Sequence, residues 1–162
     1  MRSVFEAEHV RLWHSLLAHT GDADIASDAA AEAFAQALRR GAALRDPTAW
    51  IWRAAFRIAR GQLAARRDQD DAAPAAMATL PSDDSLPDEV VALLDALSRI
   101  DDNDRRVVVL SLVGGLSAAE VGRVVDSSAG AVRVRLHRAR KRLRAALGDE
   151  ATPASSPARS DG

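Results

Sequence analysis

In two long stretches of this chain, apolar residues recur three to four positions apart, the spacing that puts them on one face of an α-helix. Val4, Phe5, Leu12, Trp13, Leu16 and Leu17 predict a first helix over roughly residues 3–19. A second is predicted from about Asp22 to Arg40, with Ala26, Ala30, Ala33, Phe34 and Ala37 on its apolar side and Gly41 at its end. The third starts with Asp46 as N-cap and Pro47 in the first turn, where a missing N–H costs nothing, and continues to about Arg67. Further along, Val90, Leu93, Leu94 and Leu97 mark a fourth helix, and the run from Val107 to Val113 marks a fifth, stopped by Gly114 and Gly115. Ser117 and Glu120 have the spacing of a capping box and open a sixth. Ser127 or Ser128 caps the seventh, which reaches Leu147 and stops at Gly148.

Between the two helical stretches the pattern is lost. Residues 68–88 carry Pro74, Pro81 and Pro87, many acids, and no regular spacing of apolar residues. Such a segment cannot bury enough apolar area to offset the entropy of ordering it. The expected fold is therefore all-α. Two small helical domains, residues 1–67 and 89–147, are joined by a flexible acidic linker over 68–88, and a disordered tail follows over 148–162.

Composition supports helices over a sheet: 48% of residues are hydrophobic, aromatics make up 4%, and Ala, Leu and Val carry most of the apolar content. There is no cysteine, hence no disulfide or thiolate metal site. No apolar run approaches the length of a membrane span, so no membrane insertion is expected and the predicted location is cytoplasmic. The formal net charge of -1 hides a segregation. Residues 1–67 hold ten arginines against seven acids, residues 68–104 one against eleven, and residues 105–147 ten basic residues against two acids. Two basic blocks flanking an acidic one point to a polyanionic partner.

The last two helices are separated only by Asp126, Ser127 and Ser128. A short helix, a tight turn and a longer basic helix make a helix-turn-helix, whose second helix enters the major groove of DNA. On that helix Val132, Leu136, Ala139, Leu143 and Leu147 share one face, while Arg135, Arg138, Lys141 and Arg142 project from others. Arginine can pair with a guanine edge through two donors, and either cation can neutralise phosphate. Val134 lies nearly opposite the apolar stripe, where it meets a thymine methyl or a protein partner. In the third helix Arg53, Arg57, Arg60 and Arg67 form a second basic stripe bordered by Trp50, suited to phosphate contact and to stacking on unpaired bases. The bland alternative there is a solvated basic face over core aromatics.

Enzymatic chemistry is not expected. Asp28 and Glu32 share the polar side of the second helix, but an open helix face suits solvation or protein docking better than acid–base work. His9, His14 and His19 are five apart and share no face, so neither a metal nor a cofactor is predicted. No serine has an oriented base or an oxyanion site in prospect.

These residues resemble the extracytoplasmic-function group of bacterial sigma factors, over about residues 4–67 and 90–147. The C-terminal similarity is carried by Gly115-Leu116-Ser117, Ala119-Glu120-Val121, Gly130, Val132 and the run from Arg135 to Arg140, which follow sigma region 4. By that resemblance the last helix reads the minus-35 promoter element with Ser128, Ala131, Arg135 and Arg138; Val134 and Lys141 are expected to join them from their places on the helix. Asp28, Glu32 and Phe34 fit the D-x-x-x-E-x-F motif of region 2, whose acidic face binds the clamp of the polymerase large subunit. The segment from Asp46 to Arg53 is similar to the start of the minus-10 recognition helix, which implies Trp50, Arg53, Arg57 and Arg60 as contacts.

The resemblance implies core RNA polymerase (clamp and flap) and promoter DNA as partners, with an anti-sigma factor as an optional one. The alternatives are a helix-turn-helix regulator acting without polymerase, or a degenerate relative that titrates an anti-sigma factor. The chain departs from the family pattern at Ala29, Ala30 and Ala31, at Ala54 to Arg57, at Gly61, and at Asp126, which replaces a turn glycine. The three alanines predict a smaller apolar docking area for polymerase.

Overall fold

A computed structural model describes residues 2–70 and 87–148, and all of the regular structure among them is helical. The elements are α1 (Arg2–Thr20), α2 (Ala23–Arg40), α3 (Pro47–Asp70), α4 (Asp88–Arg99), α5 (Asp102–Val108), α6 (Ala118–Val125) and α7 (Ala129–Gly148). A short 3₁₀ turn, Gly41–Ala43, follows α2, and α5 runs on into a π-helical turn, Val109–Val113. The predicted all-α fold is therefore observed, and six of the seven helices lie within a few residues of expectation. The fifth begins earlier than its apolar run, because Asp101 accepts from the Asn103 amide and starts the helix at Asp102. The third extends past Arg67 to Asp70. Most of the expected linker and the tail lie outside the described residues.

Local chemistry accounts for the boundaries. Asp22 is buried, and its carboxylate accepts from the amides of Asp24 and Ile25, satisfying two otherwise orphaned donors at the start of α2. It also pairs with Arg66 near the far end of α3, tying the two helices together. Asp46 caps α3 by accepting from Ala49 N at 3.1 Å. Both halves of the capping box at Ser117 and Glu120 are made.

α1, α2 and α3 pack as one group around Leu12, Leu16, Ala26, Ala30, Ala33, Ile51, Ala55 and Ala59. α4 to α7 pack as another around Leu97, Val107, Leu110, Val121, Val132, Ala139 and Leu143. Sequence reasoning places these groups in separate domains. In the structure they are docked, and their buried residues form one continuous core.

The seam between them is specific. α1 lies against the π-helical turn and α3 against α6. Trp52, fully buried, lays its ring on Gly114, where a β-carbon would come within 3.0 Å of the ring and 2.7 Å of Leu110 O. Only a glycine lets the indole approach that closely. Polar contacts reinforce the seam. Arg11 donates to Gly114 O, Arg105 Nη1 to His19 O at 3.0 Å, Arg53 to Arg123 O, and Arg123 pairs with Asp46 at 3.2 Å.

Candidate nucleic-acid interface

The helix-turn-helix depends on how tightly the chain reverses between α6 and α7. Asp126 caps α6 in the left-handed conformation, with φ 58°, which Asp tolerates better than most non-glycine residues. Ser127 N then donates to Gly122 O at 2.9 Å. A β-carbon on Gly122 would sit 2.4 Å from Ser127 O, so the turn closes this far only because residue 122 has no side chain. Ser128, not Ser127, caps α7, accepting from Ala131 N at 3.1 Å.

From that cap, α7 presents the expected faces. Val132, Ala139 and Leu143 are buried, and Leu136 and Leu147 half-buried, against the preceding helices. Ser128, Ala131, Val134, Arg135, Arg138 and Lys141 are all exposed. They do not form one patch. At 100° per residue, Ala131, Arg135 and Arg138 lie along one flank of the buried stripe with Ser128 at its edge, and Val134 stands opposite the stripe. Lys141 faces a shallow groove on the other side, shared with Arg133, His137, Arg140 and Arg144.

One residue of this surface escaped sequence reasoning. Asp104, on α5 and buried, reaches Arg142 at 2.5 Å and lies 3.9 Å from Arg135 Nε. It holds the flank that carries Arg135 against the body of the domain. No local pattern announces it, because the pairs are 31 and 38 positions apart; charge complementarity between α5 and α7 is the one signal that could have found it.

The second basic stripe is also built. Arg53, Arg57 and Arg60 are exposed on α3, and Ile51, Ala55 and Ala59 are buried on its other side. Trp50 is half-buried, with the Arg40 guanidinium 5.0 Å above its ring, a cation–π contact. Trp52 and Phe56 are core. Unlike α7, this stripe faces the other half of the molecule. Arg53 donates to the α6 backbone, and Arg60 Nε is 3.2 Å from Asp102 Oδ2. Asp102 Oδ1 in turn lies 3.3 Å from the buried His19 Nε2. The neighbouring His19 imidazole holds the Asp102 carboxyl down at about 2, and burial pushes the His19 imidazole below its ordinary value.

On α2, Asp28 and Glu32 share an exposed face, as expected. Glu32 accepts from Gln36 Nε2 at 2.8 Å and pairs with Arg39 at 3.1 Å, and the Gln36 bond is the main cause of its lowered pKa. Phe34 is not on that face. It packs against Phe5 and His9, with ring centroids 6.1 and 5.5 Å away. The expectation built on Ala29, Ala30 and Ala31 needs correction. Ala29 and Ala30 are fully buried, facing the core, so only Ala31 bears on an outer docking area. Among the described residues, no group of three or more His, Cys, Asp or Glu could hold a metal, and no helix is long and apolar enough to cross a membrane.

Residues 91–143, which contain α6, the turn and α7 as far as Leu143, match the family described as Sigma-70, region 4. The sigma factor CarQ of Myxococcus xanthus is 38% identical over 62% of this chain and 60% of its own length. The sigma factor SigL of Mycobacterium tuberculosis is 29% identical over 91% of this chain and 88% of its own. These relatives are similar to the chain in both halves, with the region 4 match confined to the C-terminal one. The first two relatives are matched over only part of their length, 60% for CarQ and 37% for ShbA of Streptomyces griseus.

Solved sigma factors share the fold. CnrH, in complex with the cytosolic domain of CnrY, aligns with a TM-score of 0.67 at 23% identity, over 93% of this chain and 88% of that one. RpoE of Bartonella quintana, in complex with the anti-sigma factor NepR, aligns at 0.72 and 19%, over 91% and 96%.

Proposed function

We propose that this chain is a promoter-specificity subunit: it binds core RNA polymerase and directs initiation by contacting DNA at two places. The observation that carries the reading is the geometry of α6 and α7. A glycine-closed turn presents a basic helix whose apolar stripe is satisfied internally and whose remaining faces are exposed. In this reading Ser128, Ala131, Val134, Arg135, Arg138 and Lys141 meet the minus-35 element. Arg135 and Arg138 read base edges, and Lys141, set off from them, contacts phosphate. Trp50, Arg53, Arg57 and Arg60 meet the minus-10 element, and Asp28 and Glu32 dock on the polymerase clamp. Phe34 supports α1 behind that face.

The action is binding and DNA deformation, without covalent chemistry or a cofactor, and takes place in the cytoplasm where polymerase and promoter are. The two structural relatives, each solved with a partner, support an anti-sigma protein as a partner here too. Run-off transcription with purified core enzyme on a genomic promoter pool tests the proposal. Discrete promoter-dependent transcripts support it. Promoter binding without any effect on the core enzyme favours a helix-turn-helix regulator instead.

A further inference from the structure

Where the two halves meet, α3 and α6 leave a cleft of about 340 Å³ between them. Its walls carry Arg53, Arg57 and Arg60 from α3 and Arg106 from α5, beside Phe56, Val124, Val125 and Asp126. Three of these arginines are the stripe already described, and the fourth comes from the opposite half. Only docking brings the four together. The acids nearby do not balance them: Asp126 is at the exposed end of α6, and Asp102 is shared between Arg60 and His19. Arg106 is half-buried, and its Nε is buried with no hydrogen-bond partner. Burial, and then repulsion from Arg60, pushes the Arg106 pKa down. A cluster of cations, partly desolvated and short of counter-charge, is stabilised by an anion that supplies several acceptor oxygens at once.

We propose that this cleft binds a short phosphate chain, gripped from both halves of the molecule by Arg53, Arg57, Arg60 and Arg106. The size favours a small ligand over a duplex, because the cleft falls at the lower end of the roughly 300–1,000 Å³ typical of small-molecule sites. The one ring in its lining, Phe56, is 1% exposed and offers a base nothing to stack on. Recognition is therefore of the phosphate chain itself. A ligand held by both walls also favours the docked arrangement over any in which the halves part. The inference rests on that docking and not on promoter recognition.

The experiment is calorimetric titration of the full chain with inorganic tripolyphosphate at constant ionic strength, alongside thermal melting, with no polymerase or promoter present. A single site and a raised melting temperature are expected, with adenosine triphosphate binding about as tightly as tripolyphosphate. Arg106→Gln should weaken binding about tenfold or more, the loss of a charge-assisted hydrogen bond, and Arg106→Lys should restore much of it. Arg144→Gln, in the groove along α7, should bind as the unaltered chain does. No binding overturns the proposal, as does Arg106→Gln binding normally, which would leave the α3 stripe acting alone. Equal losses in the Arg106 and Arg144 variants overturn it too, because they would mean general attraction of an anion to a basic protein. A failed transcription assay would leave all of these results standing.

Discussion

The molecule has two basic helices, and it treats them differently. α7 turns its arginines outward. Arg138 is exposed, and the strongest hold on its flank comes from one carboxylate, Asp104, within the same half. α3 carries a comparable stripe, but Arg53 and Arg60 are engaged by the other half of the chain, and α6 lies across it. The docked arrangement thus leaves the basic flank of α7 available while the stripe on α3 is partly occupied. The difference lies in what each helix packs against and not in its charge. A basic stripe read from a sequence gives the sign of its partner; whether the stripe is free to meet that partner depends on tertiary neighbours.

The largest expected effect separates polymerase docking from upstream DNA contact. Asp28→Lys combined with Glu32→Lys reverses two charges on an exposed face that should steer and register association with a basic surface. Transcription from a cognate promoter should be abolished, while binding to a minus-35 duplex, measured by fluorescence anisotropy, stays within error. Normal initiation by the double variant would remove α2 from the docking surface.

A second variant attacks the seam that makes the two stripes unequal. Trp52 is fully buried on Gly114, and Trp52→Ala should cost about 3–5 kcal/mol of stability, read as a lowered midpoint in urea. A loss under about 1 kcal/mol would show that the indole is not a seam element, since large values come from such cavities.

Next comes base reading by α7. Arg135→Ala should cost about 1–3 kcal/mol in binding and relax discrimination at one base pair of the minus-35 element. Arg144→Ala, on the far side of the helix, should weaken binding equally for all sequences. Identical, sequence-blind losses would sink the assignment of the groove-facing flank.

Much of the site was legible because it is local. The caps at Asp46 and Ser117 and the division of α7 into buried and exposed faces follow from spacings of a few residues. The docking of the halves was not legible, since Arg11 meets Gly114 across 103 positions and Arg53 meets Arg123 across 70. Asp104 was missed for the same reason. Ala29 and Ala30 were read as a depleted docking surface because composition tells size but not direction; their burial against the core shows which way they face.

The smallest effect is a pH dependence of the docked state, carried by His19 and Asp102 where the two halves touch. His19 is buried, and burial keeps its folded pKa below the unfolded value of 6.5. As pH falls through 6.5 the unfolded chain takes up a proton that the folded one resists, so stability present above that pH is progressively lost below it. Asp102 acts in the same direction but lower on the scale. Its carboxyl is held at about 2 against an ordinary 3.8, so its contribution is present above 3.8 and fades as pH falls toward 2. Its side chain is 38% exposed, and solvent screening keeps its share small. The melting temperature of the full chain should therefore fall as pH drops below 6.5, and again below 3.8. His19→Gln should remove the first fall and lessen the second, because His19 is also the main cause of the Asp102 shift. A melting temperature that rises on acidification through 6.5, or a first fall unchanged in His19→Gln, would mean that this histidine does not link proton uptake to the packing of the two halves.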